Sequence, residues 1–292
     1  MIGAMTAALE TAAIAPAGGA EPIVDVLIRE RAPRLSSSAA WPILRPLLYA
    51  ALGYRQARAM ADAIDGLGGA QALDFTSKWL ALKVTSRGLE RVPKGGRLIV
   101  VVNHPTGLAD GIAVDDVLRP IRPDLCYFAN ADALRVSARL GEVFIPVEWV
   151  EAKRTRERAR LTLKLAQAAL DAERAIVIFP AGRIARMRKG VLADPAWAPS
   201  ALSLARRHGA PILPIHLKGP PSVLFRLFDH ISPELRDITL FHEIFNKRGG
   251  AFALTVGPLI PSERVADPAA EVVRLKAYVE QALPAHPDQP FA

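Results

Sequence analysis

With 292 residues, 51% of them hydrophobic and 23% charged, the chain can bury a sizeable core in one large or two smaller domains, which excludes a disordered polar chain. Its net charge of +8 is local: residues 151–190 hold 11 basic and 4 acidic side chains, so one face is expected to meet an anionic partner. A single cysteine, Cys126, excludes an internal disulfide and a Cys-rich zinc site. No stretch reaches the ~18–20 uncharged apolar residues of a membrane-spanning helix, so a soluble or membrane-surface protein of the reducing cytoplasm is expected.

Residues 1–22 are rich in Ala and Gly and read as a loosely ordered leader; the first 20 contain no Lys or Arg, so the positive start of a secretory signal is missing. Residues 23–70 read as a helical, membrane-associating region. Its apolar segment from Trp41 to Tyr54, with Trp41, Tyr49 and Tyr54 near the edges and Arg45 and Arg55 interspersed, suits a helix lying in a lipid interface. An ordinary helix packed on the core and interrupted by Pro42 and Pro46 fits the same pattern.

Residues 71–292 read as the main domain, in which strand-like and helix-like segments alternate. Short β-branched or apolar runs at 98–102, 125–129, 143–147, 175–179, 211–217 and 252–256 predict buried strands. The clearest helix covers 153–173, with Leu161, Leu165, Ala168 and Ala169 on one face and Arg154, Arg158 and Arg160 elsewhere. A second covers 198–208 and is stopped by Gly209. This alternation predicts an α/β fold whose sheet is mixed and largely parallel, flanked by helices.

Three segments leaving predicted strands carry chemistry. After Val102 come Asn103 and His104, a sharp turn permitted by Gly107, and Asp110 near the start of a helix over 111–118. Such a turn can return the Asp110 carboxylate to one imidazole nitrogen of His104, making the histidine a general base. A helix-capping aspartate beside an unrelated surface histidine fits the same spacing. The segment after 175–179 contains Pro180, Gly182, Arg183, Arg186, Arg188 and Lys189, and a Gly turn with exposed amides beside guanidiniums suits an anion. A solvated basic face accounts for Arg188 and Lys189, but less well for Arg183. In the third segment, Pro211 and Pro214 imply an edge or a bulge, and His216 reads as a packed structural histidine. No G-x-S-x-G, P-loop, H-E-x-x-H or G-x-G-x-x-G motif is present, and the six histidines lack metal-ligand spacing. What remains is a base with no protein nucleophile, which fits direct attack by a substrate hydroxyl.

Four ordered blocks resemble those of the glycerolipid acyltransferases typified by the bacterial 1-acyl-glycerol-3-phosphate acyltransferases. They are Asn103-His104-Pro105-Thr106-Gly107-Leu108-Ala109-Asp110-Gly111, the 141–146 segment GEVFIP, Phe179-Pro180-Ala181-Gly182-Arg183, and the 210–215 segment APILPI. The ending LFHEIFNKRGGAFALTVGPLIP is similar to a branch that includes hemolysin-like proteins and lyso-ornithine-lipid acyltransferases. The resemblance implies transfer of a fatty acyl group from acyl-CoA or acyl carrier protein to the hydroxyl of a lysolipid in membrane phospholipid or related lipid synthesis. In that picture His104 is the base, Asp110 orients it, and no metal or cofactor takes part. Asn103, Pro105, Gly107, Phe179, Pro180, Gly182, Arg183 and Arg186 would bind substrate. The enzyme would sit peripherally on the cytoplasmic face of the inner membrane, with residues 41–54 as its anchor and no nucleic-acid partner. A non-catalytic lipid-binding protein that keeps the same fold is the alternative.

Three departures from the family pattern bear on the acceptor. Five residues separate His104 from Asp110 where four are usual. The second block reads Ile145-Pro146-Val147 in place of Ile-Asp-Arg. The third, commonly Phe-Pro-Glu-Gly-Thr-Arg, has Ala181 for Glu, Arg183 for Thr and Ile184 for Arg. Both altered blocks bind the acceptor phosphate in the family. Lysophosphatidic acid itself is therefore not the expected acceptor: either Arg183 or Arg186 supplies a replacement cation, or the acceptor carries a different head group such as an amino acid.

Overall fold

Apolar patterning assigns the opening of the chain to helices and most of the remainder to alternating strands and helices. The computed structural model describes residues 21–148, 153–188 and 190–292. All of the expected leader except residues 21 and 22 lies outside the described residues, as does Lys189. Among the described residues four helices come first: α1 (Ile23–Arg31), α2 (Pro33–Ser36), α3 (Trp41–Ala51) and α4 (Tyr54–Ile64). Gly53, at φ +71°, turns the chain between α3 and α4. Tyr49 and Tyr54, one on either side, stack on each other and both donate hydrogen bonds to Asp25 of α1. Next come α5 (Gly69–Leu80), which spans the expected boundary at residue 70, and β1 (Lys83–Arg87).

The alternation follows as β2 (Leu98–Val102), α6 (Leu108–Leu118), β3 (Cys126–Asn130), α7 (Ala133–Val136), β4 (Phe144–Val147), α8 (Arg156–Asp171) and β5 (Ala175–Ile178). A hairpin of β6 (Arg186–Arg188) and β7 (Val191–Ala193) precedes α9 (Ser200–His208) and β8 (Ile212–Lys218). The chain closes through α10 (Val223–Ile231), α11 (Pro233–Ile238), α12 (Leu240–Phe245), β9 (Ala251–Val256) and α13 (Pro268–Ala277).

Seven strands form one mixed sheet in the order β1-β9-β8-β2-β5-β3-β4, in which the β8–β9 pair alone is antiparallel. β2 lies at its middle, and its five apolar residues are all buried because helices cover both faces. Leu98, Val100 and Val102 pack in one core with Leu73 of α5 and Ile112 of α6. Ile99 and Val101 pack in the other with Leu170 of α8, Leu202 of α9 and Leu275 of α13. The N-terminal helices fasten to the inserted helices 223–245, where Val24, Ile28, Leu52 and Ala57 meet Ile238.

All six expected strands are present, each within one residue at either end. β1 was not foreseen: its sequence, Lys-Val-Thr-Ser-Arg, is polar and mostly exposed at the sheet edge. Two expectations need correction. The buried stripe of α8 is Ala166, Ala169 and Leu170, while Leu161, Leu165 and Ala168 are exposed; small residues let the helix approach the sheet closely. α6 begins three residues earlier than expected, so Asp110 lies in its first turn. Of the edge or bulge expected at the β8 proline, the structure has the bulge: β8 is an interior strand, and residues 213 and 214 oppose the three residues 257–259. Pro214 falls where the antiparallel ladder breaks: β9 ends at Val256, Gly257 N–H donates to the Pro214 carbonyl at 2.8 Å, and pairing resumes at Ile212 with Ile260.

At the opposite end of the sheet from the C-terminus of β2, Arg122 is fully buried and ties three loops together. It donates to Asp124 at 2.8 and 2.7 Å and to the carbonyls of Pro93, Gly96 and Glu173. Arg122→Met should lower the unfolding free energy by about 2–3 kcal/mol, because it strands buried carbonyl groups. A urea midpoint equal to that of the wild type would refute this role.

Candidate active site

The site forms where β2 stops and α6 begins, at the C-terminal end of a parallel strand, the usual position for function in such sheets. Asn103 turns away from it. The Asn103 amide donates to the Leu217 carbonyl at 2.9 Å and accepts from Leu217 N–H at 2.7 Å, joining the end of β2 to β8. Pro105 is buried within the turn. Gly107, at φ +105° and ψ −139°, is the N-cap of α6 in a conformation that a side chain would strain. A Cβ there would also meet Ile184 Cδ1 at 2.8 Å.

This turn aims three groups at the carboxylate of Asp110, which is fully buried. The Thr106 and Gly107 N–H groups donate to Oδ2 at 2.9 and 3.0 Å, and the Thr106 hydroxyl donates to Oδ1 at 2.5 Å. The fourth donor is His104 Nδ1, at 2.8 Å from Oδ2. Three of the four converge on Oδ2 and one reaches Oδ1, an arrangement suited to a carboxylate that only accepts. The extra residue between His104 and Asp110 is absorbed here, with Gly107 supplying the reversal. Nδ1 is committed to Asp110, so Nε2 is the nitrogen left to exchange a proton, as in a carboxylate–histidine pair of the hydrolase type.

The third block passes alongside. Phe179, just beyond β5, places its ring against the His104 imidazole, with centroids 4.6 Å apart. A turn closed by Gly182 N–H to the Phe179 carbonyl, at 3.0 Å, carries Pro180 and leaves Arg183 exposed. The chain then runs back past the catalytic loop: Ile184 packs on Gly107, and Ala185 N–H donates to the His104 carbonyl at 2.8 Å. Of the two candidate cations, Arg186 forms an ion pair with Asp229 of α10 at 3.5 Å, and Arg183 carries the exposed charge at the turn. His216 lies outside the site, half-buried, with Nδ1 3.0 Å from the Val279 carbonyl; burial lowers its pKa.

Sequence reading missed Asp194. This buried carboxylate holds His104 from behind, with both oxygens 3.1 Å from the His104 backbone nitrogen and Oδ2 accepting from Trp197 Nε1 at 2.8 Å. Its own N–H donates to Glu280 at 2.7 Å. The His104 peptide is thus fixed at both its N–H and its C=O. Burial raises the Asp194 pKa to about 6, partly offset by the Trp197 and His104 contacts. Ninety residues separate it from His104, and no local pattern links the two.

Residues 83–218 match the family model described as Acyltransferase. The chain is similar to lyso-glycine lipid O-acyltransferases of Phocaeicola vulgatus and Bacteroides thetaiotaomicron. Each is 28% identical over 200 residues, covering 66% of this chain and 70% and 71% of those proteins respectively. Among solved structures it resembles the 1-acyl-sn-glycerophosphate (LPA) acyltransferase PlsC of Thermotoga maritima, with a TM-score of 0.47 and 15% identity over 90% of this chain and 96% of that one.

Two predictions follow from the geometry of the turn and its backing carboxylate. Gly107→Ala should lower stability by about 1–3 kcal/mol through the positive φ alone, seen as a lower thermal midpoint together with reduced activity. Between pH 4 and 6 the folded chain holds a proton on Asp194 that the unfolded chain has released. Stability should therefore fall as pH rises through that window, by about 3 kcal/mol for the whole shift from 3.8 to about 6. Urea midpoints of Asp194→Asn should lack this slope; an unchanged slope would remove Asp194 as its source.

Proposed function

We propose that the chain is a glycerolipid acyltransferase of the lysolipid type, which moves a fatty acyl group from an acyl thioester to the hydroxyl of a lysolipid during membrane-lipid synthesis. The observation that carries this reading is the 2.8 Å contact between His104 Nδ1 and a fully buried Asp110, which leaves Nε2 as the proton acceptor.

His104 Nε2 takes the proton of the acceptor hydroxyl as its oxygen bonds to the thioester carbonyl carbon. Asp110 fixes the tautomer and stabilises the imidazolium that forms. The tetrahedral intermediate collapses with cleavage of the C–S bond, and the imidazolium returns its proton to the departing thiolate. The products are an ester and a free thiol, so neither a metal nor a prosthetic group enters the scheme. Acyl-CoA and acyl carrier protein both supply the required thioester.

The acceptor we propose carries a carboxylate head group of amino-acid type. The second block offers Pro146 and Val147 where the family has Asp and Arg, and the third keeps a single exposed cation, Arg183, at its turn. The relatives' names point the same way, since both act on a lyso-glycine lipid. We place the enzyme peripherally on the cytoplasmic face of the inner membrane. No helix of the described residues is long and apolar enough to cross a bilayer, and α3 buries none of its own residues.

Supplied with an acyl thioester and an N-acylglycine bearing a free hydroxyl, the wild type should release thiol and form the ester, detected by mass spectrometry. His104→Ala should reduce kcat by about 10²–10⁴-fold with folding retained. Arg183→Ala should raise KM for the carboxylate acceptor and leave kcat little changed. Full activity of the His104 variant would remove the base from the scheme.

A further inference from the structure

α10 carries an apolar stripe that faces solvent. Val223 is 67% exposed, Leu227 54% and Ile231 62%, each four residues from the last, while Phe225 on the other side of the helix is buried. A helix that leaves three large aliphatic side chains in water on one line has no partner for that line among the described residues, and such patches mark interaction surfaces.

The position of α10 narrows the partner. Immediately before the helix, the Ser222 hydroxyl donates to the Thr106 carbonyl in the His104–Asp110 turn at 3.3 Å, so the helix starts beside that turn. Lys247 Nζ donates to the Pro221 carbonyl at 3.2 Å, and Asp229 is held by Arg236 at 2.9 Å. Inward, Leu224 joins the apolar cluster that contains Trp41 and Leu48 of α3. α3 in turn exposes Ile43 at 73% and Leu47 at 65%. Two neighbouring helices thus present aliphatic residues to solvent.

The carboxylates near them are engaged, Asp229 and Asp237 by Arg236 and Glu234 by the backbone N–H groups of Arg34 and Leu35, and the exposed charge is mainly positive. Arg34, Arg45 and Arg55 are exposed, residues 33–55 contain no carboxylate, and Arg183 is exposed at the nearby turn. A second copy of this face would set arginine against arginine. An anionic lipid leaflet offers both an apolar interior for the stripe and negative head groups for the guanidiniums.

We infer that α10 is a second bilayer-docking element: Val223, Leu227 and Ile231 enter the interface of an anionic membrane beside α3, and the His104 site opens against the leaflet that holds its acceptor. The purpose of this docking rests on the lysolipid reading above; the docking itself does not require catalysis.

The test is co-sedimentation with vesicles of phosphatidylglycerol and phosphatidylcholine, and with phosphatidylcholine alone. Wild type is compared with V223S/L227S/I231S and with I43S/L47S. Each variant should bind the anionic vesicles about tenfold more weakly, and wild type should prefer them over neutral ones. The α10 variant should lose transfer to a vesicle-borne acceptor and keep it with a detergent-dispersed one. If the triple variant unfolds, Leu227→Trp replaces it: blue-shifted emission on anionic vesicles with quenching by brominated lipid supports the proposal, and unshifted, unquenched emission overturns it. Wild-type affinity in a folded triple variant overturns it. So does a wild-type dimer that the triple variant converts to monomer while vesicle binding persists. A wild type that acylates no lysolipid yet binds vesicles through the stripe refutes the proposed reaction and supports the docking.

Discussion

A buried carboxylate that accepts four hydrogen bonds within one turn is the constraint on which the site depends. Asp110 takes two of them from backbone N–H groups, one from a hydroxyl and one from the catalytic ring. Burying a negative charge is costly unless donors replace water. Here the donors come from the residues that must turn back for helix α6 to start. The same bonds that let the helix begin therefore orient the base. Little freedom remains for His104, since its peptide N–H is bound by Asp194 and its carbonyl by Ala185.

That local arrangement depends on the sheet beneath it. β2 is flanked by parallel partners on both sides, β8 and β5, and lies next to the antiparallel β8–β9 pair. Five apolar residues fill both cores from it, so its C-terminal end is as rigid as the interior. Asn103 extends the rigidity one residue beyond the strand by bonding both sides of its amide to Leu217. Its place is structural support of the turn.

Much of this was legible in the chain itself. The buried strands show as β-branched runs between turn formers, and His104, Gly107 and Asp110 lie close enough in sequence for one turn to unite them. The rest depends on partners distant along the chain. Asp194 reaches His104 only because the β6–β7 hairpin returns under the catalytic loop. The environment of Arg186 is set by Asp229, on a helix inserted after β8. The outward face of α8 misled because helical periodicity gives the face but not which face meets the sheet, and Ala166 and Ala169 fit that contact better than leucine. β1 escaped notice because an edge strand can remain polar.

The bond from Ala185 N–H to the His104 carbonyl has an evolutionary corollary. On the function proposed above, the stretch that would select the head group and the stretch that would perform the chemistry share a peptide contact, so neither can shift lengthwise without dragging the other. Descendants of this scaffold can exchange side chains at positions 181 and 183 and so adopt new acceptors. An insertion or deletion between Phe179 and Ala185 would instead put the imidazole out of register. Diversification should therefore proceed by replacement at fixed loop length.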